Sequence, residues 1–132
     1  MTTERTEYRV EGLFEPISHY TDAVSYGGLL FTAVTGHDAN GNLIGVDDVV
    51  QQCRQMFDNL GKVLQAAGSS PADVLKVTVY LTDVRDREKI NPIRQEFFGK
   101  TKPASALVGV NELALPGMKV EIDVVAAVTR NR

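Results

Sequence analysis

A chain of 132 residues, 43% apolar and 23% charged, is the size of one domain and carries enough apolar material for a single packed core. Its formal net charge of −3 argues against a nucleic-acid partner, which is normally met by a basic face. One cysteine, Cys53, excludes an internal disulfide and fits a reducing compartment. The opening MTTERTEYRV lacks the apolar segment of a secretory signal. No apolar run approaches the roughly 20 residues of a membrane span, so a soluble cytoplasmic protein is expected.

Taken in chain order, TEYRVEGL alternates weakly and reads as an edge strand. PISHYTDAVSYGGLLFTAVTG reads as two strands turning at Gly27-Gly28, a hairpin signal. HDANGNLIG is a turn, with Asn40, Gly41 and Asn42 suited to positive φ. From Asp47 the period changes: Val50, Cys53, Phe57, Leu60, Val63 (or Leu64) and Ala67 recur at three or four residues. This predicts a long helix capped by Asp47 or Asp48 and ended by Gly68. SSPADV gives one short turn. VLKVTVYLTD then alternates, with Leu75, Val77, Val79 and Leu81 facing one way and Lys76, Thr78, Tyr80 and Thr82 the other.

VRDREKINPIRQEFFG predicts a second helix with Ile90, Ile93 and Phe97 on its inner face and Gly99 closing it. Pro92 removes a backbone donor, so a kink or a fresh start capped by Asn91 is expected there. ASALVGV is a strand and NELALPGM a connection. KVEIDVVAAV is the last strand, with Val120, Ile122, Val124, Ala126 and Val128 inward. Its second face begins with Lys119, Glu121 and Asp123 and continues with Val125 and Ala127. No repeat or linker divides the chain, and residues 1–132 read as one domain. The order predicts an α+β fold, one mixed β-sheet with two helices packed on one face. The other face is half apolar and wants cover, which a second copy of the chain would supply.

Few residues offer chemistry. Cys53 lies on the apolar stripe of the long helix and reads as a buried small hydrophobe. His19 and His37 have no second ligand at metal spacing, so no metal is expected. No glycine loop sits in a strand–loop–helix context, and Ser105 has no histidine neighbour for a hydrolase triad. Glu121 and Asp123, two apart on a strand, share a face. Either they are exposed or paired with Lys119 and Lys76, or one is held in a partly apolar cleft with a raised pKa and handles a water or proton. Tyr20 is the other candidate, set against simple packing with its hydroxyl satisfied by backbone.

The segments PISHYTDAV, GLLFTAVTGHDANGNLIG, FDNLGKVLQAAGSSPADVLKVTVYLTDVRDREKINPIRQEFFG, KPASALVGV and LPGMKVEIDVVA together resemble the Rid family (reactive intermediate deaminase, also called YjgF/YER057c/UK114). The resemblance runs from about Pro16 to Ala127. It implies a chorismate-mutase-like fold and a homotrimer whose sheets form a central β-barrel. Small-molecule clefts would lie between subunits, and no cofactor is implied. It also implies hydrolysis of enamine or imine intermediates to an oxo acid and ammonia.

Carried over by position, the resemblance places the family's tyrosine on Tyr20 and its glutamate on Glu121 as catalytic groups. Its substrate-binding positions fall on Thr32, Ala33 (in a glycine's place), Asn91 and Ser105, with Leu107 beside Ser105. Ser105 stands where deaminating members carry the arginine that forks onto the substrate carboxylate, a task serine cannot imitate. Either the cleft takes a different molecule, for example one of aminomuconate type, or Arg94, one turn after Asn91, supplies the charge. Arg94 is otherwise expected on the solvated helix face. A non-catalytic metabolite-binding trimer is the alternative reading.

Overall fold

In the computed structural model residues 4–129 are described. The outermost positions of the expected single domain, 1–3 and 130–132, lie outside them. Six strands form one mixed sheet in the order β1-β2-β3-β6-β4-β5: β1 (Thr6–Tyr8), β2 (Ala23–Tyr26), β3 (Leu29–Val34), β4 (Val74–Leu81), β5 (Ala104–Gly109) and β6 (Val120–Ala127). β4 and β5 run parallel; every other pairing is antiparallel. The β2–β3 hairpin closes on Gly27 and Gly28 at φ 61° and 83°, the left-handed pair a two-residue turn requires.

Both helices lie on one face of this sheet, as the alternation of apolar residues predicts. Helix α1 (Val49–Ala66) starts on Asp48, whose carboxylate accepts from the amides of Val50 and Gln51. It ends in a Schellman turn: Ser69 N–H donates to Leu64 O at 2.8 Å and Gly68 N–H to Gln65 O at 3.3 Å. Its stripe of Cys53, Met56, Leu60, Val63 and Leu64 is buried against Leu30, Val77, Val79, Ile122 and Val124 of the sheet. Helix α2 (Arg87–Phe98) adds Ile90, Ile93 and Phe98. Phe57 meets Phe97 and Phe98 at ring-centroid distances of 4.7 and 5.8 Å and joins the two helices.

Two expectations fail locally. Leu75 does not face inward: it is 49% exposed, and Val74 takes the buried place. The cause is a bulge. Val74 pairs with Ala126 and Lys76 with Val125, so Leu75 is the extra residue and the alternation slips by one. Helix α2 also makes no fresh start at Asn91. It runs unbroken through Pro92, with Asn91 and Pro92 both on its exposed side, where water can take the carbonyl that proline leaves without a donor.

Candidate functional site

The site begins where β2 runs out. The β2–β3 ladder ends at the pair Ala23–Thr32, so from Ala33 onward β3 has no neighbour on that edge. Segment 13–22 folds over the gap, and a cleft of about 640 Å³ opens beneath it. Leu13, Phe14, Tyr20, Phe31, Leu115 and Met118 supply most of its apolar wall. Buried Gln52 anchors the segment that carries Met118: its Nε2 donates to Gly45 O and Gly117 O, and its Oε1 accepts from Lys119 N–H at 2.8 Å.

Four of the expected site residues meet here: Tyr20, Thr32, Ala33 and Glu121. Glu121 is half-buried on the face of β6 away from the helices. Its carboxylate has no hydrogen-bond or ion-pair partner among the described residues; neither Lys119 nor Lys76 reaches it. Burial raises its pKa, and the neighbouring charge of Asp123 raises it further. Asp123 behaves differently. It accepts from Tyr80 Oη at 2.7 Å, a bond that also pushes the Tyr80 phenol up. Of the two acids in KVEID, one is structurally employed and the other is left open to the cleft.

Tyr20 is 53% exposed, so its ring lies open rather than packed, while its Oη accepts from Ile17 N–H at 3.3 Å. Thr32 is buried and spends its proton on Asp22 O at 2.7 Å, which keeps the end of β2 closed and leaves no donor for a ligand. Asp22 itself is buried in the cleft wall but satisfied, by Val10 N–H at 2.7 Å and Arg9 Nε at 3.1 Å.

The remaining expected residues, Asn91, Arg94, Ser105 and Leu107, are not in this cleft. Ser105 sits on β5, at the sheet edge, paired with Val77, and therefore on the helix side; β3 is three strand spacings away, roughly 14 Å. Leu107 packs on the core beside it, and Asn91 is exposed on α2. Arg94 corrects the expectation of a solvated residue. It is half-buried and donates from Nη2 to Ser105 Oγ at 2.9 Å, and no carboxylate pairs with it among the described residues. Burial pulls its pKa down. Beneath it Cys53 is fully buried and its thiol is pushed up to about 12, so it is no nucleophile.

His37, weighed in the sequence only as a metal ligand, belongs to the cleft as well. The loop after β3 presses onto α1 at Gly36, where an added Cβ would lie 2.6 Å from Gln52 O; only glycine allows the approach. Asn59, buried in α1, donates to Thr35 O and His37 O, both at 2.8 Å, and so pins the loop. His37 then lines the cleft, packed on Phe14 with ring centroids 5.2 Å apart. Burial lowers its pKa, against a smaller opposing pull from Asp38. The available signal was the string TGH directly after a strand, a glycine that lets a polar side chain turn inward.

The Endoribonuclease L-PSP family model matches residues 11–128. The chain belongs to this family, the YjgF/Rid proteins. A RutC family protein of Pyrococcus horikoshii is 38% identical over 85% of this chain and 89% of its own. A 2-iminobutanoate/2-iminopropanoate deaminase of Dermatophagoides farinae is 30% identical over 86% of this chain and 89% of its own. Among solved structures, YyfA of Yersinia pestis, from the conserved Rid protein family, matches with a TM-score of 0.89 at 27% identity, covering 95% of this chain and 100% of that one. The α+β architecture read from the Rid-like sequence is thus the family's own. Among the described residues no helix is long and apolar enough to cross a membrane, and no group of three or more metal-ligating side chains occurs.

Proposed function

We propose that this Rid protein is a cytoplasmic homotrimer that hydrolyses an enamine or imine in clefts completed between copies. The observation that carries the chemistry is Glu121: an unpartnered, half-buried carboxylate with a raised pKa, open to an apolar cleft beside Tyr20. A base is most effective when its pKa lies near the working pH. Glu121 takes a proton from water as the water oxygen bonds to the imine carbon and the C=N electrons move to nitrogen. That proton passes to nitrogen and gives the carbinolamine; Glu121 then takes the remaining hydroxyl proton and delivers it to the same nitrogen, the C=O bond forms as the C–N bond breaks, and ammonia leaves an oxo compound behind. An enamine enters this step as its imine tautomer. Tyr20 Oη hydrogen-bonds the reacting group.

The second half of each cleft would come from a neighbour. Asn91, Arg94, Ser105 and Leu107 lie too far from Glu121 within one chain, at an unpaired sheet edge that a neighbour can meet. Arg94 is then the cation that replaces the missing arginine. Because its guanidinium stops at Ser105 Oγ, it sits at the root of the side chain that an arginine at 105 would extend. The anchoring charge is set back by most of an arginine's length. That favours a substrate whose carboxylate stands farther from the reacting carbon than in 2-iminopropanoate, such as an aminomuconate-type dienamine. Nucleic acid is disfavoured as a partner: the net charge is −3, and Arg5, Arg9, Arg54, Lys62, Arg85 and Lys89 are all ion-paired.

Ammonia release separates the readings. Enzymatically generated 2-aminomuconate should lose ammonia faster with the protein than without, 2-iminopropanoate should be accelerated little, and Glu121→Gln should remove roughly 10²–10⁴-fold of the rate. Tight binding of either compound with no acceleration would replace the hydrolase reading with that of a metabolite-binding trimer.

A further inference from the structure

Glu121 and His37 each bring to the cleft a polar atom with no partner among the described residues, and they come from different elements. His37 is 4% exposed, yet it is not sealed. Its Nδ1 is engaged with Thr35 Oγ1 at 2.8 Å, while Nε2 has no partner among the described residues. No side-chain nitrogen or oxygen among those residues is both buried and unpaired, so Nε2 keeps an opening, and the cavity that His37 lines is this cleft.

The Thr35 bond favours one tautomer of His37. Thr35 Oγ1 has no other acceptor among the described residues, so its proton is used only if the hydroxyl donates to Nδ1. Nε2 then carries the imidazole proton and points a donor into the cleft. The charged groups around it do not compete: Arg5 is held by Glu7, Asp22 by Arg9, and Asp38 accepts from the amides of Asn40 and Asn42. On this chain's half of the cleft Glu121 is an acceptor, and the His37 Nε2–H joins the exposed Tyr20 O–H as a donor for a ligand.

We propose that His37 is a ligand-binding residue: its Nε2–H holds a carbonyl or carboxylate oxygen adjacent to the reacting carbon, opposite Glu121. This rests on the imine-hydrolase reading for its catalytic meaning, but the contact itself is a binding claim. It also narrows the substrate class to imines or enamines that carry an oxygen acceptor next to the C–N bond, set in an apolar frame by Phe14, Leu115 and Met118.

The chain has two histidines, so nitrogen NMR of the imidazoles needs only one variant to assign them, and exposed His19 is an internal control. In the free protein His37 should show the Nε2-protonated tautomer. 2-Oxobutanoate and its neutral amide, 2-oxobutanamide, are the probes, and together they distinguish a carboxylate from a carbonyl. At least one, at up to tens of millimolar, should shift the His37 Nε2 signal and leave His19 unmoved. His37→Phe should weaken that probe about tenfold, the worth of one buried hydrogen bond. Thr35→Val, which keeps the ring in place, should move the tautomer toward Nδ1–H and weaken the probe several-fold.

An Nδ1-protonated His37 in the wild type, or no shift with either probe, overturns the proposal. The two claims fail separately. A His37 shift without ammonia release leaves the contact standing and removes the hydrolase. Glu121-dependent ammonia release with an unmoved His37 does the reverse.

Discussion

Glu121 shows what a candidate active-site acid costs the fold. Its folded pKa lies above the unfolded value because burial and Asp123 both disfavour the charge. Below the unfolded value both states are protonated and the group is neutral to stability. As pH rises through the unfolded and then the folded pKa, the unfolded chain ionises first and folding loses free energy. Glu121→Gln removes that loss. The variant should therefore melt higher than wild type near pH 7.5, and the gap should close toward pH 4, about where the unfolded carboxylate is half protonated. Thermal melts at the two pH values, at one protein concentration, measure it. A variant less stable at neutral pH would mean that the carboxylate has a stabilising partner and is structural. His37 has the opposite sign: its lowered pKa favours the neutral folded form, so its contribution fades as pH falls through the unfolded histidine value.

Helix α2 carries a proline in its interior at the exposed position 92, where it forgoes the hydrogen bond to the carbonyl four residues back. Alanine there should stabilise the protein by about 2 kcal/mol: the roughly 3 kcal/mol propensity difference less the roughly 0.4–1 kcal/mol that proline saves by restricting the unfolded chain. Urea midpoints at fixed concentration test this; an unchanged midpoint would mean that the missing bond costs nothing at this site. The helix also shows how far the sequence could be read. Inner residues Ile90 and Ile93 were legible because period alone places them, as it places the α1 stripe and the inward valines of β4 and β6. What was illegible depends on contacts the period does not encode. The bulge at Leu75 is set by pairing with β6, not by the residues of β4. That Glu121 and Asp123 share a face could be read, but which of them is employed depends on the cross-strand reach of Tyr80. Arg94 meeting Ser105 requires α2 to lie over the parallel β4–β5 pair, and the His37 wall is assembled from segments 14, 35–37 and 118. Residues joined by the fold alone leave no pattern in the chain.

At the scale of the molecule, the sheet face away from the helices is unfinished. It carries Phe31, 45% exposed, together with Val125, Ala127 and Glu121, and the expected trimer would close it, with light scattering reading three times the 14.4 kDa chain mass. The stronger consequence concerns the division of the site. If each cleft takes Glu121 from one copy and Arg94 from the next, chains that are separately inactive must complement. Glu121→Gln and Arg94→Gln homotrimers each have three damaged clefts. In any mixed trimer of the two, one cleft joins an intact Glu121 to an intact Arg94, and the other two remain damaged. Random reassembly of equal amounts makes about three-quarters of the trimers mixed, so about a quarter of all clefts regain both groups under cyclic symmetry. Co-refolding should thus recover about a quarter of wild-type ammonia release, with native mass spectrometry confirming that the copies have exchanged. Exchanged trimers that stay inactive would place Glu121 and its anchoring cation within one chain, and the site would then consist of the cleft beneath segment 13–22 alone.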